Sequence, residues 1–233
     1  MLIGILQTGD VNPRLADRFP PYEVMFARLL DGHGLRFQAW RANHGELPAG
    51  PEDADGWLIT GSAAGVYEDL PWIAPLEDLV RAIAAARRPL VGICFGHQLM
   101  AQALGGRVVK SDKGWGIGVQ EYDEVETGRR VRVLASHQDQ VVAPPPGAEV
   151  MASSEFCPVA AMRWPDAPML SWQPHPEFEA DYSRAIIEMR RGETYGQAFA
   201  DAALARLDAP LDSAEIGGRL ARFFLESRQK LSA

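Results

Sequence analysis

One segment of the sequence, residues 90–99, predicts a strand that turns directly into a helix. Its apolar first half is typical of a short buried strand, and residues 98–104 have the apolar spacing and helix-forming residues of a packed helix. Cys94 lies at the turn, between Gly92 and Gly96. A sharp strand-to-helix turn brings backbone segments so close together that a Cβ does not fit, which favours glycine. The pattern predicts an α/β fold with a nucleophilic cysteine at the turn.

The thiol of Cys94 is expected over the first turn of the following helix. Free backbone N–H groups and the positive end of the helix dipole stabilise both a thiolate and a nearby oxyanion. The alternative is a buried structural cysteine, which is the usual state of a single cysteine in an apolar strand. The two flanking glycines argue against that alternative.

A second segment, residues 170–178, contains the base that a cysteine nucleophile needs. Residues two apart in an extended chain face the same side, so His175 and Glu177 can project together, and Pro176 fixes the backbone between them. A carboxylate bonded to one ring nitrogen selects the tautomer whose other nitrogen meets the thiol. A His-Pro-Glu sequence alone is more often a turn, so this prediction depends on the cysteine segment.

The order of apolar segments predicts a mostly parallel sheet with helices on both faces and the site at the carboxyl ends of its strands. Strands are expected at residues 3–6, 35–40 and 56–59 and before Cys94, with helices at 22–30 and 72–87. From residue 108 the segments become shorter and rich in β-formers. They predict a small β-layer on one side of the sheet, with strands at residues 119–125, 130–134 and 149–152.

Three helices are expected in a carboxyl-terminal extension that begins at about residue 178. Their expected positions are residues 178–191, 194–207 and 213–229, and the last presents four apolar side chains to a core: Ile216, Leu220, Phe223 and Phe224. We interpret them as a packed lid beside His175 within a single domain of residues 1–233.

Composition excludes several classes of function. The chain has 233 residues, is 47% hydrophobic and carries a formal net charge of −8, which suits one α/β domain and argues against nucleic acid as a ligand. No apolar stretch approaches the length that spans a membrane. The first six residues lack a basic leader and have the pattern of a buried strand, so we expect a cytoplasmic protein.

The cysteines and histidines indicate neither a disulfide nor a metal site. Cys94 and Cys157 are expected to stay reduced in the cytoplasm, with Cys157 packed or inert in a loop. The five histidines show no paired ligand spacing: His33, His44, His97, His137 and His175. We therefore expect no metal and no cofactor.

Five motifs in order along the chain resemble the class I (triad) glutamine amidotransferases. They are residues 58–67, 92–98, 114–119, 136–141 and 175–178. The chain is most similar to the branch that contains the amidotransferase domain of GMP synthase and the stand-alone γ-glutamyl peptidases. The resemblance implies a three-layer, flavodoxin-like α/β fold. It also implies Cys94 as nucleophile, His175 as general base and then acid, and Glu177 as the group that orients His175.

The same resemblance implies an oxyanion hole. Its donors are expected to be the backbone N–H of Phe95 and an N–H of the Gly61-Ser62 turn, where Ser62 replaces the glycine of many relatives. An ordinary turn at the end of a strand is the alternative interpretation of residues 60–62. Loss of one such donor typically costs about 2.7–4 kcal/mol of transition-state stabilisation.

The substrate contacts implied by the resemblance are Gly61, Gln98, Ser136 and His137. An uncharged polar pocket with a few well-placed donors would suit a zwitterionic amino-acid head group. The alternatives are a helix-surface role for Gln98 and a loop histidine bonded to its neighbours for His137.

Three functions remain open at this point. The first is a glutaminase that passes ammonia to a separate synthase, because the chain has no nucleotide-binding glycine loop of its own. The second is a stand-alone γ-glutamyl peptidase that acts on glutathione-like or other γ-glutamyl compounds and needs no partner. The third is a binding module that keeps the fold without catalysis, which the intact Cys94, His175 and Glu177 argue against.

Overall fold

The computed structural model describes residues 1–231, with side chains through residue 228. The strands are β1 Leu2–Leu6, β2 Arg36–Trp40, β3 Gly56–Ile59, β4 Leu90–Ile93, β5 Arg107–Lys110, β6 Gly116–Glu124, β7 Arg130–His137, β8 Asp139–Ala143, β9 Glu149–Ser153, β10 Ala161–Trp164 and β11 Met169–Trp172. The α-helices are α1 Tyr22–Leu29, α2 Ile73–Ala85, α3 Phe95–Ala103, α4 Ala180–Arg190, α5 Gln197–Leu204 and α6 Ser213–Leu231. Every strand and helix expected from the sequence is present, with its ends within three residues of the expected ones.

The large sheet has nine strands in the order β2-β1-β3-β4-β11-β10-β9-β6-β7. The first five of these are parallel to one another. Strands β3, β4 and β11 are buried along their whole length, which explains why their sequences are continuous apolar runs rather than alternating ones. Parallel neighbours end at the same edge of a sheet, so the carboxyl ends of these three strands lie side by side.

The expected small β-layer is arranged differently from the prediction. Strands β10, β9, β6 and β7 continue the large sheet in antiparallel fashion, and only β5 and β8 form a separate two-stranded sheet. The physical reason is the short connection between β10 and β11. This connection folds β10 back beside β11, where Ala161 pairs with Trp172 and Trp164 with Met169. The remaining antiparallel strands then add to that edge.

Helices cover both faces of the parallel part of the sheet. Trp57 and Ile59 of β3 pack with α2 and α3, whereas Leu58 between them packs with α1 and α6 on the opposite face. Helices α4 and α5 cover β6 and β7 instead and belong to a third apolar cluster. None of the described helices is both long enough and apolar enough to cross a bilayer.

The carboxyl-terminal helices do not act together as a lid beside His175. The segment leading into α4 reaches His175, and α5 packs on β6, but α6 turns away and packs against α1. Ile216, Leu220 and Phe224 are buried there, and Phe223 is half-buried. The apolar spacing of α6 correctly predicted its buried face, but it contained no information about which part of the sheet that face covers.

Candidate active site

Cys94 lies between β4 and α3 in a backbone conformation that is unusual for a non-glycine residue. Its φ is 53° and its ψ is −102°, and residues held in such sparsely populated regions cost on the order of 1–3 kcal/mol each. A Cβ on Gly92 would lie 2.5 Å from the carbonyl oxygen of Gly96, and one on Gly96 would lie 2.5 Å from that of Ile59. Larger residues therefore cannot replace either glycine without moving the nucleophile.

His175 and Glu177 form a buried pair directly after β11. The Nδ1–H of His175 donates a hydrogen bond of 2.7 Å to Oε1 of Glu177. The backbone N–H of His175 donates to the carbonyl oxygen of Leu134 in β7 at 2.7 Å, which fixes the segment to the sheet. The Phe178 ring stacks on the imidazole with a centroid distance of 4.0 Å and an interplanar angle of 5°. These contacts hold the imidazole in one orientation.

The side chain of Cys94 is a neighbour of the His175 imidazole, and both line the same cleft. Burial alone disfavours the imidazolium, but the negative charges of Glu177 and Cys94 and the hydrogen bonds to both raise the pKa of His175 to about 10. His175 is therefore protonated at neutral pH, so a positive charge lies beside the side chain of Cys94.

Gly61 lies in close contact with the imidazole of His175. A Cβ at this position would lie 2.7 Å from Cε1 of His175 and 3.6 Å from Cβ of Cys94. The Gly61 carbonyl accepts hydrogen bonds from the hydroxyl groups of Thr8 at 3.1 Å and Thr60 at 3.2 Å. The turn after β3 is thus held close to His175 and leaves no room for a side chain.

Two backbone N–H groups are available beside the sulfur. Phe95 is the first residue of α3, so its N–H has no acceptor within the helix. Among the described residues, no protein group accepts a hydrogen bond from the N–H of Phe95 or from that of Ser62. The N–H of Gly96 donates to the carbonyl of Thr60 at 3.2 Å and joins the start of α3 to the turn after β3. The two predicted oxyanion donors therefore come from adjoining segments.

A cleft of about 200 Å³ opens over Cys94. It is lined by all four residues expected to contact substrate: Gly61, Gln98, Ser136 and His137. The side-chain amide nitrogen of Gln98 donates to the backbone carbonyl of Asp139 at 2.9 Å and to Oε1 of Gln173 at 3.0 Å. Only the carbonyl oxygen of Gln98 remains for a ligand.

His137 contributes a neutral, buried ring to the wall of this cleft. Burial lowers the pKa of His137 to about 4, so the ring carries no charge at neutral pH. Its Nδ1 lies 3.1 Å from the carbonyl oxygen of Asp139, and its Nε2 is buried without a partner among the described residues. The ring packs beside Phe156 with a centroid distance of 5.8 Å.

One end of the cleft carries charged groups, contrary to the uncharged pocket expected from the sequence. Glu68, Lys110 and Asp139 all line it. The Tyr67 hydroxyl donates to Oδ2 of Asp139 at 3.0 Å, and burial together with this hydrogen bond raises the pKa of Tyr67 to about 12. Tyr67 and Asp139 lie within the sequence motifs. Glu68 and Lys110 could not be recognised as site residues from the sequence, because they come together only in the fold.

Another part of the cleft lining is a largely aromatic wall that the sequence did not reveal. Five residues of α1, the β5–β6 connection and the α4 region compose it: Tyr22, Trp115, Phe178, Ile186 and Arg190. These residues are spread over more than half of the chain, so no local spacing could have connected them. We call this set the aromatic wall below.

Cys157 is placed where the sequence analysis expected an inert thiol. It is fully buried, and burial raises the pKa of its thiol to about 12. Its Sγ lies 3.6 Å from the carbonyl oxygen of Val159. Neither cysteine forms a disulfide. Cys157 therefore stays a protonated thiol at neutral pH.

Comparison with known proteins identifies the family of this chain. The family model described as glutamine amidotransferase class-I matches residues 30–188, which are more than half of the chain. The protein belongs to the class I glutamine amidotransferases. It is therefore a cysteine-dependent amidohydrolase.

Relatives of this amidotransferase come from both branches suggested by the motifs. Gamma-glutamyl peptidase 4 of Arabidopsis thaliana is 28% identical over 225 residues, covering 90% of this chain and 89% of that protein. A glutamine-hydrolyzing GMP synthase subunit of Pyrococcus abyssi is 42% identical over 95 residues, covering 38% of this chain and 50% of that protein. The crystal structure of a glutamine amido transferase from Methylobacillus flagellatus superposes with a TM-score of 0.76 at 26% identity, covering 98% and 94% of the two chains. The expected fold class is confirmed.

Proposed function

We propose that this enzyme hydrolyses the amide bond of a γ-glutamyl group through a covalent intermediate on Cys94. His175 acts as general acid and base, and Glu177 orients its ring. The observation that best supports this proposal is the strained Cys94, which lies beside a buried His175–Glu177 pair in one cleft. A structural cysteine needs neither the strain nor the paired base.

In the first half of the reaction, the Cys94 thiolate attacks the γ-carbonyl carbon of the substrate. A carbon–sulfur bond forms and the carbonyl electron pair moves to oxygen, where the N–H groups of Phe95 and Ser62 stabilise the negative charge. The His175 imidazolium then donates its proton to the leaving nitrogen while the carbon–nitrogen bond breaks. The products are a γ-glutamyl thioester and ammonia or an amine.

In the second half, water replaces the amine. Neutral His175 accepts a proton from the water molecule, whose oxygen attacks the thioester carbonyl. The carbon–sulfur bond breaks, glutamate leaves, and the Cys94 thiolate and His175 imidazolium are restored. Glu177 holds the ring through its hydrogen bond to Nδ1 and stabilises the imidazolium in both halves.

The charged end of the cleft suits the amino-acid head of a γ-glutamyl group. Glu68 and Asp139 offer acceptors for an α-ammonium group, as does the remaining carbonyl oxygen of Gln98. Lys110 and the Ser136 hydroxyl offer donors for an α-carboxylate. A zwitterion placed there directs its γ-carbonyl toward Cys94.

The identity of the leaving group separates two forms of this proposal. If the substrate is glutamine, ammonia leaves and is passed to a separate synthase, as the similarity to the GMP synthase relative suggests. If the substrate is another γ-glutamyl compound, an amine leaves and no partner is needed. The second form is supported by the γ-glutamyl peptidase, which matches over about nine tenths of both chains.

We place the reaction in the cytoplasm. A reducing compartment keeps thiols free, and both cysteines of this enzyme are free. Localisation of the tagged protein by cell fractionation tests this placement.

A glutamate-release assay tests the proposed function. Purified enzyme is offered glutamine, glutathione and γ-glutamyl dipeptides, each with and without a candidate ATP-dependent ligase. Cys94→Ser is the active-site variant and Cys157→Ser is its matched control, since both remove one buried thiol. We expect hydrolysis that Cys94→Ser abolishes and Cys157→Ser retains. Glutamate release that survives in Cys94→Ser would contradict the nucleophile assignment.

A further inference from the structure

The chemistry of the proposed reaction divides the cleft into two sides. The oxyanion must lie beside the N–H groups of Phe95 and Ser62, whereas the leaving nitrogen must lie where His175 can protonate it. Phe178 stacks on His175, and the Tyr22 ring lies 6.0 Å from that of Phe178. The aromatic wall, to which Phe178 and Tyr22 belong, therefore begins at the imidazole that protonates the leaving nitrogen.

Arg190 is the cation of the aromatic wall, and its position is closely defined. Its guanidinium carbon lies 5.6 Å from the ring centroid of Trp115 and 5.9 Å from that of Tyr195. Its Nη1 donates a hydrogen bond of 3.1 Å to the Tyr195 hydroxyl. The backbone carbonyl of Arg190 accepts hydrogen bonds from the turn that follows α4, at 3.0 Å from both Thr194 and Tyr195. The guanidinium is thus held in place on an aromatic surface.

The remaining donors of Arg190 have no carboxylate to bind. A guanidinium has five N–H donors in a planar fork that matches a carboxylate. The neighbouring Arg191 pairs with Asp201 at 2.6 Å, but no acidic side chain in the described part of the chain pairs with Arg190. In a chain of net charge −8, a cation left without a counter-ion in a substrate cleft suits an anionic ligand group.

We propose that Arg190 binds a carboxylate on the leaving group of the substrate. The preferred substrates are then γ-glutamyl amino acids or γ-glutamyl peptides, whose leaving amine carries a carboxylate, rather than glutamine or uncharged γ-glutamyl amides. This inference rests on the proposed γ-glutamyl hydrolysis and adds Arg190 as the residue that determines leaving-group specificity. Trp115 and Tyr195 position the guanidinium for this contact.

Two substrates that differ in a single group test the role of Arg190. γ-Glutamylglycine carries a carboxylate on its leaving group, and γ-glutamylmethylamide has the same amide linkage without one. The measured quantity is the ratio of kcat/KM for the first substrate to that for the second. We expect the wild-type ratio to exceed one and Arg190→Met to lower it by about 10- to 100-fold, the usual range for losing a hydrogen-bonded charge.

The loss is expected mainly in KM for γ-glutamylglycine, because the carboxylate does not take part in bond breaking. Arg190→Lys keeps the charge but not the fork, so its ratio should fall between those of the wild type and Arg190→Met. Arg191→Met is the matched control, because it removes the next arginine of the chain, whose partner is Asp201. Its ratio should equal that of the wild type.

Three other outcomes would each overturn the inference. A purely structural role of Arg190 would lower kcat/KM for both substrates together and leave their ratio unchanged, which would overturn the inference while γ-glutamyl hydrolysis stands. A ratio that falls equally in Arg191→Met would also overturn it. If the folded wild-type enzyme hydrolyses neither substrate nor glutamine, the proposed function fails, and this inference fails with it.

Discussion

Gly61→Ala would place a methyl group in the space of the proposed general base. The new Cβ would lie 2.7 Å from Cε1 of His175, whereas ordinary contacts begin near 3.4 Å, so the two groups must separate by about 0.7 Å. Both groups are held by their neighbours. Phe178 stacks on one face of the ring at 4.0 Å, and the Gly61 carbonyl is held by the hydroxyl groups of Thr8 and Thr60.

The size of the expected effect follows from that displacement. A catalytic group misplaced by about 1 Å can lose about 100-fold in rate, so we expect kcat/KM of Gly61→Ala to fall by roughly that factor. Overpacking of a close contact typically costs about 1–3 kcal/mol, so the free energy of unfolding should fall by an amount that leaves the protein folded. Glutamate release on the preferred substrate measures the first quantity, and urea denaturation measures the second.

Gly218→Ala is the matched control for this substitution. Gly218 lies inside α6, where a Cβ would make an ordinary contact of 3.6 Å with Nη1 of Arg222. Alanine in a helix interior is favoured over glycine by about 0.5–1 kcal/mol, so stability should rise slightly without a change in activity. Wild-type kcat/KM in a well-folded Gly61→Ala would refute the reasoning, because it would show that the imidazole is not confined.

A glutamine-like diazo-ketone should label Cys94 and spare Cys157, whose pKa is raised to about 12 by burial; mass-spectrometric mapping that finds chiefly Cys157 would refute the assigned pocket. Glu177→Gln should lower kcat less than His175→Ala does. Because Glu177 helps to raise the pKa of His175, the decline of kcat/KM at alkaline pH should begin at a lower pH in Glu177→Gln, and an unshifted pH profile would contradict this. Since that pKa rises from 6.5 to about 10, the stabilising contribution of charged His175 should be complete below about pH 6.5 and disappear as the pH rises through about 10. Urea denaturation of wild type and His175→Ala across this range measures it, and a constant difference between them would count against the charged pair.

The part of the site that could be predicted from the sequence is the part controlled by local backbone constraints. The glycines around Cys94 indicated a strand-to-helix turn because a Cβ cannot fit at Gly92 or Gly96, and the structure gives these contacts as 2.5 Å each. Residues two apart face one side of an extended segment, and His175 and Glu177 are indeed paired. Both predictions depend on a few neighbouring residues.

The parts that could not be predicted depend on which distant segments meet. Whether β6, β7, β9 and β10 form a separate layer or extend the large sheet is decided by hydrogen bonding at the edge of β11, not by their own composition. The same holds for the aromatic wall, where α1, α4 and the β5–β6 connection converge. The apolar spacing of each segment shows that one face is buried but does not identify the neighbour that buries it.

This division between local and distant determinants corresponds to a division of roles in the site. The proposed catalytic groups stand at the ends of β3, β4 and β11, and backbone hydrogen bonds join these ends, such as Cys94 N–H to Trp172 O at 2.8 Å and Gly96 N–H to Thr60 O at 3.2 Å. A change in the backbone at these strand ends therefore disturbs the sheet. The wall that faces the leaving group comes mainly from helices and a connection outside those strands, so residues such as Arg190 can change without disturbing the strained Cys94. A γ-glutamyl peptidase and a GMP synthase subunit are both similar to this chain, and the aromatic wall is where we expect such proteins to differ.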